Sequence, residues 1–246
     1  MTLQACAEFV RKGDPDRFRA VMAAPPAARE KLFPIYAMNV EVSRAPWVTQ
    51  EPLIAEMRLQ WWRDALDEIA SGGPVRRHEV VTPLTEVLDA EGARLLDGVV
   101  VARRWDIARE PFVDTAALIR HLEATAGTLM WVAGRALGSD QEAPLRKIGT
   151  AGGVANWLVS VPSLKAHGLQ PLPDESDSGI VALAREGQKL LSRVRGPGRI
   201  AALSASEAQP VLQRAIRDPG LVAGAALERP QAVRSARLLR LAMIGR

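Results

Sequence analysis

Helical periodicity restricts this chain more than any other feature. In residues 32–47 (LFPIYAMNVEVSRAPW) apolar side chains recur at Leu32, Ile35, Tyr36 and Val40. After breaks at Pro46 and Pro52 the rhythm returns at Met57, Trp61, Ala65, Leu66 and Ile69. Steps of three and four put these residues on one face of a helix, and the alternation that marks a half-buried strand is nearly absent along the chain. The expectation is two consecutive helices, each with one packing face, in an all-α protein. The pair is also crowded with polar residues: Asn39, Glu41, Ser43, Arg44, Glu56, Arg58, Gln60, Arg63 and Asp64. A purely structural helix pair has no need of so many, so this stretch is the first candidate for a site.

The remaining punctuation continues the helical reading. Asp14 or Asp16 can cap a helix through Met22 with Pro15 in its first turn, and Pro25 and Pro26 then break the chain before a helix over 27–43. The SGGP run at 71–74 is a stop. Further helices are expected at 80–88, 90–104, 114–137 (closed by Gly138), 142–161 (closed by Pro162) and 178–195, with a loop at 168–177. Beyond GPG at 196–198, shorter segments near 206–217, 219–227 and 231–243 are separated by Pro210, Pro219 and Pro230. No linker and no repeat stands out, so residues 1–246 are read as one helical domain.

Several chemistries are excluded by residue type and spacing. His78, His121 and His167 lie far apart without the second ligand that a zinc site requires. Cys6 lacks a basic neighbour to activate it as a thiolate, and as the single cysteine it fits a reducing compartment. GTAGG at 149–153 falls within a helical pattern and not after a strand, so it is read as helix packing and not as a dinucleotide loop. No apolar run is long enough to span a bilayer, and the N-terminus, with Glu8 in it, makes a poor signal peptide. The expected location is the cytoplasm, with peripheral contact at the inner face of the membrane as an option. The net charge of +4 rests on 32 basic residues, mostly arginine, whose planar fork suits phosphates, carboxylates and acidic membrane surfaces. No dense basic tract points to nucleic acid.

Four segments in order then carry a resemblance: PDRFRAVMAAPPAAREKLFPIYAMNVEV, MRLQWWRDALDEI, HLEATAGTLMWVAGRALG and GTAGGVANWLVSVPSLKAHGLQPLPDE. Over residues 14–175 the chain resembles the squalene/phytoene synthase family. The resemblance implies a single isoprenoid-synthase-like bundle with a central cavity. In active members two aspartate-rich motifs on facing helices hold magnesium, which draws out the diphosphate of a prenyl substrate. Aligning from Tyr36 puts Ser43, Arg44 and Trp47 where the first motif's aspartates belong. Aligning from Asn156 and from Leu172–Pro173 puts Ser160 and Leu164 at the second. Arg17 beside Phe18 replaces the front-end phosphate-binding serine, and Arg29 sits where relatives carry arginine. Glu41 is placed one turn before Arg44 to pair with it.

With N-V-E, the Q-W-W run and VPSLKAHG, the chain resembles the branch of the family associated with building the respiratory NADH dehydrogenase. The resemblance marks Arg17, Arg29, Tyr36, Asn39, Arg44, Arg58, Gln60, Trp62 and Asn156 as ligand-binding candidates. It implies a non-catalytic protein with no metal site, binding an isoprenoid or lipid-like molecule or a respiratory-complex protein. The alternative is a prenyltransferase that recruits Glu41, Glu56, Asp64 and Glu123 as carboxylates, with magnesium as its cofactor.

Overall fold

The computed structural model describes residues 3–49 and 51–244, and among these every regular element is helical. The chain opens with α1 (Leu3–Gly13), α2 (Pro15–Met22) and α3 (Pro26–Arg44), followed by a 3-10 turn at Ala45–Trp47 and α4 (Pro52–Ser71). Next come a single turn α5 (Val81–Leu84), α6 (Ala90–Ala102), a single turn α7 (Trp105–Ala108) and α8 (Thr115–Leu122). A π turn, Glu123–Gly127, joins α8 to α9 (Thr128–Ala136). The longest helix, α10 (Glu142–Ala166), leads to α11 (Asp177–Lys189), α12 (Gly198–Ala202), α13 (Ala208–Arg217), α14 (Gly220–Ala223) and α15 (Gln231–Ile244). No helix of the described residues is long and apolar enough to cross a membrane.

Local chemistry accounts for most of the boundaries. Asp14 caps α2, its Oδ1 accepting from the Arg17 backbone N–H at 2.9 Å, while Pro15 fills a position whose N–H would have no partner. Asp114 caps α8 and Asp89 caps α6 in the same way. Gly72 and Gly138 take positive φ where α4 and α9 end. The expected helix at 80–88 shrinks to α5, and the helix at 142–161 instead runs through Pro162 to Ala166. The 114–137 segment is helical throughout but carries the π turn, in which Thr128 Oγ1 donates to the Glu123 carbonyl five residues back.

The main apolar cluster draws on residues from Cys6 to Leu227, with a small second cluster of Ala20, Leu203 and Leu238, and α10 runs through the main one, touching the π turn, α9, α11 and α13. Its GTAGG stretch explains that closeness. A Cβ at Gly149 would lie 2.5 Å from Met130 Cβ and 2.8 Å from the Ala126 carbonyl oxygen, so the backbones meet because nothing intervenes. α1 packs on α3 and α4 along α6. α4 buries Ala55, Leu59, Trp62, Ala65 and Leu66, a face turned from the expected one, and leaves Met57 64% exposed. Cys6 is wholly buried, and burial pushes its thiol pKa up to about 11, leaving it inert as a nucleophile.

Candidate functional site

The ends of α3 and α10, with α2, α7 and the π turn, enclose a cavity of about 550 Å³. From α3 come Asn39 and Ser43, then Trp47 from the 3-10 turn, and α10 contributes Gly153, Asn156, Trp157, Ser160, Ser163 and Leu164. Of the positions aligned with the two aspartate motifs, Ser43 and Trp47 on one side and Ser160 and Leu164 on the other line one cavity, while Arg44 is exposed outside it. Both serine hydroxyls turn back to their own helices, Ser43 to the Val40 carbonyl at 3.1 Å and Ser160 to the Asn156 carbonyl at 2.8 Å. At the mouth Trp47 meets the His167 ring edge-on, with 5.5 Å between ring centroids, and the Arg109 guanidinium lies 4.9 Å over its indole. The ring contact therefore joins the ends of α3 and α10, and the cation–aromatic contact ties the end of α7 to them.

Inside, each guanidinium has an aspartate on its own stretch of chain. Arg17 NH1 meets Asp14 Oδ2 at 2.5 Å and also lies 5.0 Å over the buried Tyr36 ring. Arg103 NH1 meets Asp106 Oδ2 at 3.3 Å. Asp106 is almost fully buried, which raises its pKa despite the opposing Arg103 charge. His121 sits against Trp105, Phe112 and Trp157, and burial, reinforced by Arg103, pushes its pKa down to about 4. The ring is neutral at physiological pH. Behind Arg17 a small recess reaches Tyr36, Ser204 and the α10 glycines, and burial there raises the pKa of the Tyr36 hydroxyl.

Four buried polar atoms around this space have no hydrogen-bond partner among the described residues: Arg17 Nε, Tyr36 Oη, Arg103 Nε and His121 Nε2. Leaving a buried polar group unpaired costs on the order of 1–3 kcal/mol, so their concentration around this cavity makes it the candidate site.

Of the residues expected at the site, Arg17, Asn39 and Asn156 line the cavity and Tyr36 the recess. The other ligand candidates lie elsewhere. Arg29 Nε donates to the Ala24 carbonyl at 2.8 Å and ties down the start of α3. Arg44 and Arg58 are exposed, and Gln60 donates to Asp64 at 2.7 Å on the α4 surface. Trp62 packs edge-on against Trp61 and His78. Glu41 and Arg44 do not pair.

The carboxylates of the alternative do not converge. Glu56 is bound by Arg104 at 3.1 Å, Asp64 faces a groove between α4 and α6, Glu123 is exposed, and none of the four lines the cavity. Magnesium does not fit the donors that are present. The two cavity carboxylates, Asp14 and Asp106, are separately held by arginines, and the remaining oxygens are neutral hydroxyls and amides. Among the described residues no three His, Cys, Asp or Glu side chains gather in a metal-holding group. Sequence reasoning did not single out Arg103, Asp106 or the role of His121. The signal was the aromatic spacing Trp105, Phe112, His121 and Trp157, whose rings the fold brings together.

The profile of the family described as squalene/phytoene synthase matches residues 10–177. A Drosophila melanogaster protein named NADH dehydrogenase (ubiquinone) complex I, assembly factor 6 homolog is 33% identical over 168 residues, which is 64% of this chain and 50% of that protein. The Bos taurus protein named NADH dehydrogenase (ubiquinone) complex I, assembly factor 6 is 25% identical over 174 residues, covering 64% and 48%. The chain spans about half the length of the curated relatives it matches. Among solved structures, a dehydrosqualene synthase crystallised with ligand superposes with a TM-score of 0.72 over 99% of this chain and 95% of that one, at 13% identity. At that identity the likeness shows the fold alone.

Proposed function

This chain belongs to the squalene/phytoene synthase family, and from that premise we propose that it is a non-catalytic member, an accessory factor in assembling a respiratory NADH dehydrogenase. We take its whole length as one domain and its place as the cytoplasmic side of the cell. The observation that carries the reading is the cavity. Where a metal-dependent prenyltransferase needs converging carboxylates, this cavity presents Ser43, Trp47, Ser160 and Leu164, with the Trp47–His167 contact at its edge. Ionising an allylic diphosphate without offsetting the charge of the leaving group is very slow, so these residues cannot take over the missing step. The names of the curated relatives support the assembly role. The cavity itself supports binding of a lipid- or isoprenoid-like molecule, since its volume lies in the range of about 300–1,000 Å³ usual for small-molecule sites.

The test is genetic. Deleting the gene in its own host should lower the amount of assembled NADH dehydrogenase seen on native gels, with restoration by the wild-type gene and by a variant carrying Glu41→Gln, Glu56→Gln, Asp64→Asn and Glu123→Gln together. Normal assembly in the deletion strain would refute the accessory role. Rescue by wild type but not by the quadruple variant, provided that variant is folded, would favour the carboxylate-dependent enzyme.

A further inference from the structure

The cavity's two arginines are not equally satisfied, and the difference selects a ligand. Both oxygens of Asp14 are engaged by Arg17, one through its backbone N–H and one through NH1, and the same guanidinium lies over Tyr36. Arg103 has a single 3.3 Å contact with Asp106, and its Nε is buried without an acceptor. His121, which feels the Arg103 charge, also has a buried Nε2 without a partner, and a neutral imidazole can carry its proton there. Arg103 and His121, which carry these two donors and the under-balanced charge, line the cavity beside the indole of Trp157. Leu122, Leu129 and Leu164 supply apolar lining.

We propose that the cavity takes an amphiphile with a monoanionic carboxylate head, the head accepting hydrogen bonds from Arg103 Nε and His121 Nε2 and the apolar chain lying along the leucines. This rests on the reading of the cavity as a ligand site and goes beyond it by fixing the head-group chemistry. A carboxylate offers two oxygens to two donors and matches one guanidinium. A neutral alcohol leaves the charge unmatched. A diphosphate brings more negative charge than Arg103 can balance, and the cavity has no carboxylate set to hold an offsetting magnesium.

The test uses one chain with three heads. Farnesoate, farnesol and farnesyl diphosphate, each without added metal, are titrated into the purified full chain and followed by calorimetry and by tryptophan fluorescence. Farnesoate should bind at least tenfold more tightly than either of the others. Arg103→Met should bring farnesoate down to the level of farnesol and leave farnesol unchanged. Because that change strands Asp106, the pair is also removed as a unit, Arg103→Met with Asp106→Leu, and circular dichroism checks that both variants are folded. The double variant should show the same loss. Farnesol or the diphosphate binding as tightly as farnesoate, or farnesoate indifferent to the folded double variant, overturns the head-group assignment while leaving the cavity a ligand site. No binding by any of the three overturns both.

Discussion

His121 is the residue whose physics is easiest to isolate. Its pKa falls from 6.5 free to about 4 in the fold, chiefly through burial, so the folded state prefers the neutral ring. Between those values the unfolded chain binds a proton that the folded chain refuses. Stability from this site is therefore full above pH 6.5 and lost as pH falls toward 4, by about 3 kcal/mol. Urea denaturation across that range should show wild type losing roughly this amount relative to His121→Gln; parallel profiles for the two proteins would mean that His121 is not held neutral. The sequence disclosed part of this site. Tyr36 and Asn156 anchored an alignment that put Ser43, Arg44, Trp47, Ser160 and Leu164 opposite the aspartates of active relatives, and all but Arg44 line the cavity. Arg103 and His121 were not legible, because their meaning depends on burial and on which aspartate each arginine meets. Arg44 looked like a cavity cation by alignment, yet it sits on the outer side of α3 while Ser43, one residue earlier, faces in.

Among the elements, α10 shows how small residues set the architecture. Gly149 and Gly153 let its backbone approach the π turn and α9. Gly149→Ala would push a methyl into Met130 and the Ala126 carbonyl and should cost about 1–3 kcal/mol or more. Gly98→Ala at an exposed position of α6, where a Cβ meets nothing within 4 Å, should instead stabilise by about 0.5–1 kcal/mol. Thermal unfolding of the two variants checks the contrast, and equal effects would show that the close approach of α10 is not what Gly149 serves. GTAGG was readable as packing because it lay within a helical rhythm. Pro162 misled, since proline usually closes a helix, whereas here the helix carries on to Ala166. The face of α4 misled as well. Its apolar residues cover more than one stripe, so spacing alone chose Met57 and Trp61, while the fold buries Leu59 and Trp62.

At the scale of the molecule, the all-α fold was legible from periodicity, and the superposition on a dehydrosqualene synthase at 13% identity shows how much sequence change that fold tolerates. Activity is far less tolerant, because it needs several carboxylates at one place and a few substitutions remove them. Inheriting the fold therefore does not carry the chemistry with it. The most direct measurement is pyrophosphate release from farnesyl and geranylgeranyl diphosphate by the purified chain with magnesium. No release above the protein-free rate is expected, and turnover at an enzyme-like rate that scales with protein concentration would contradict the account.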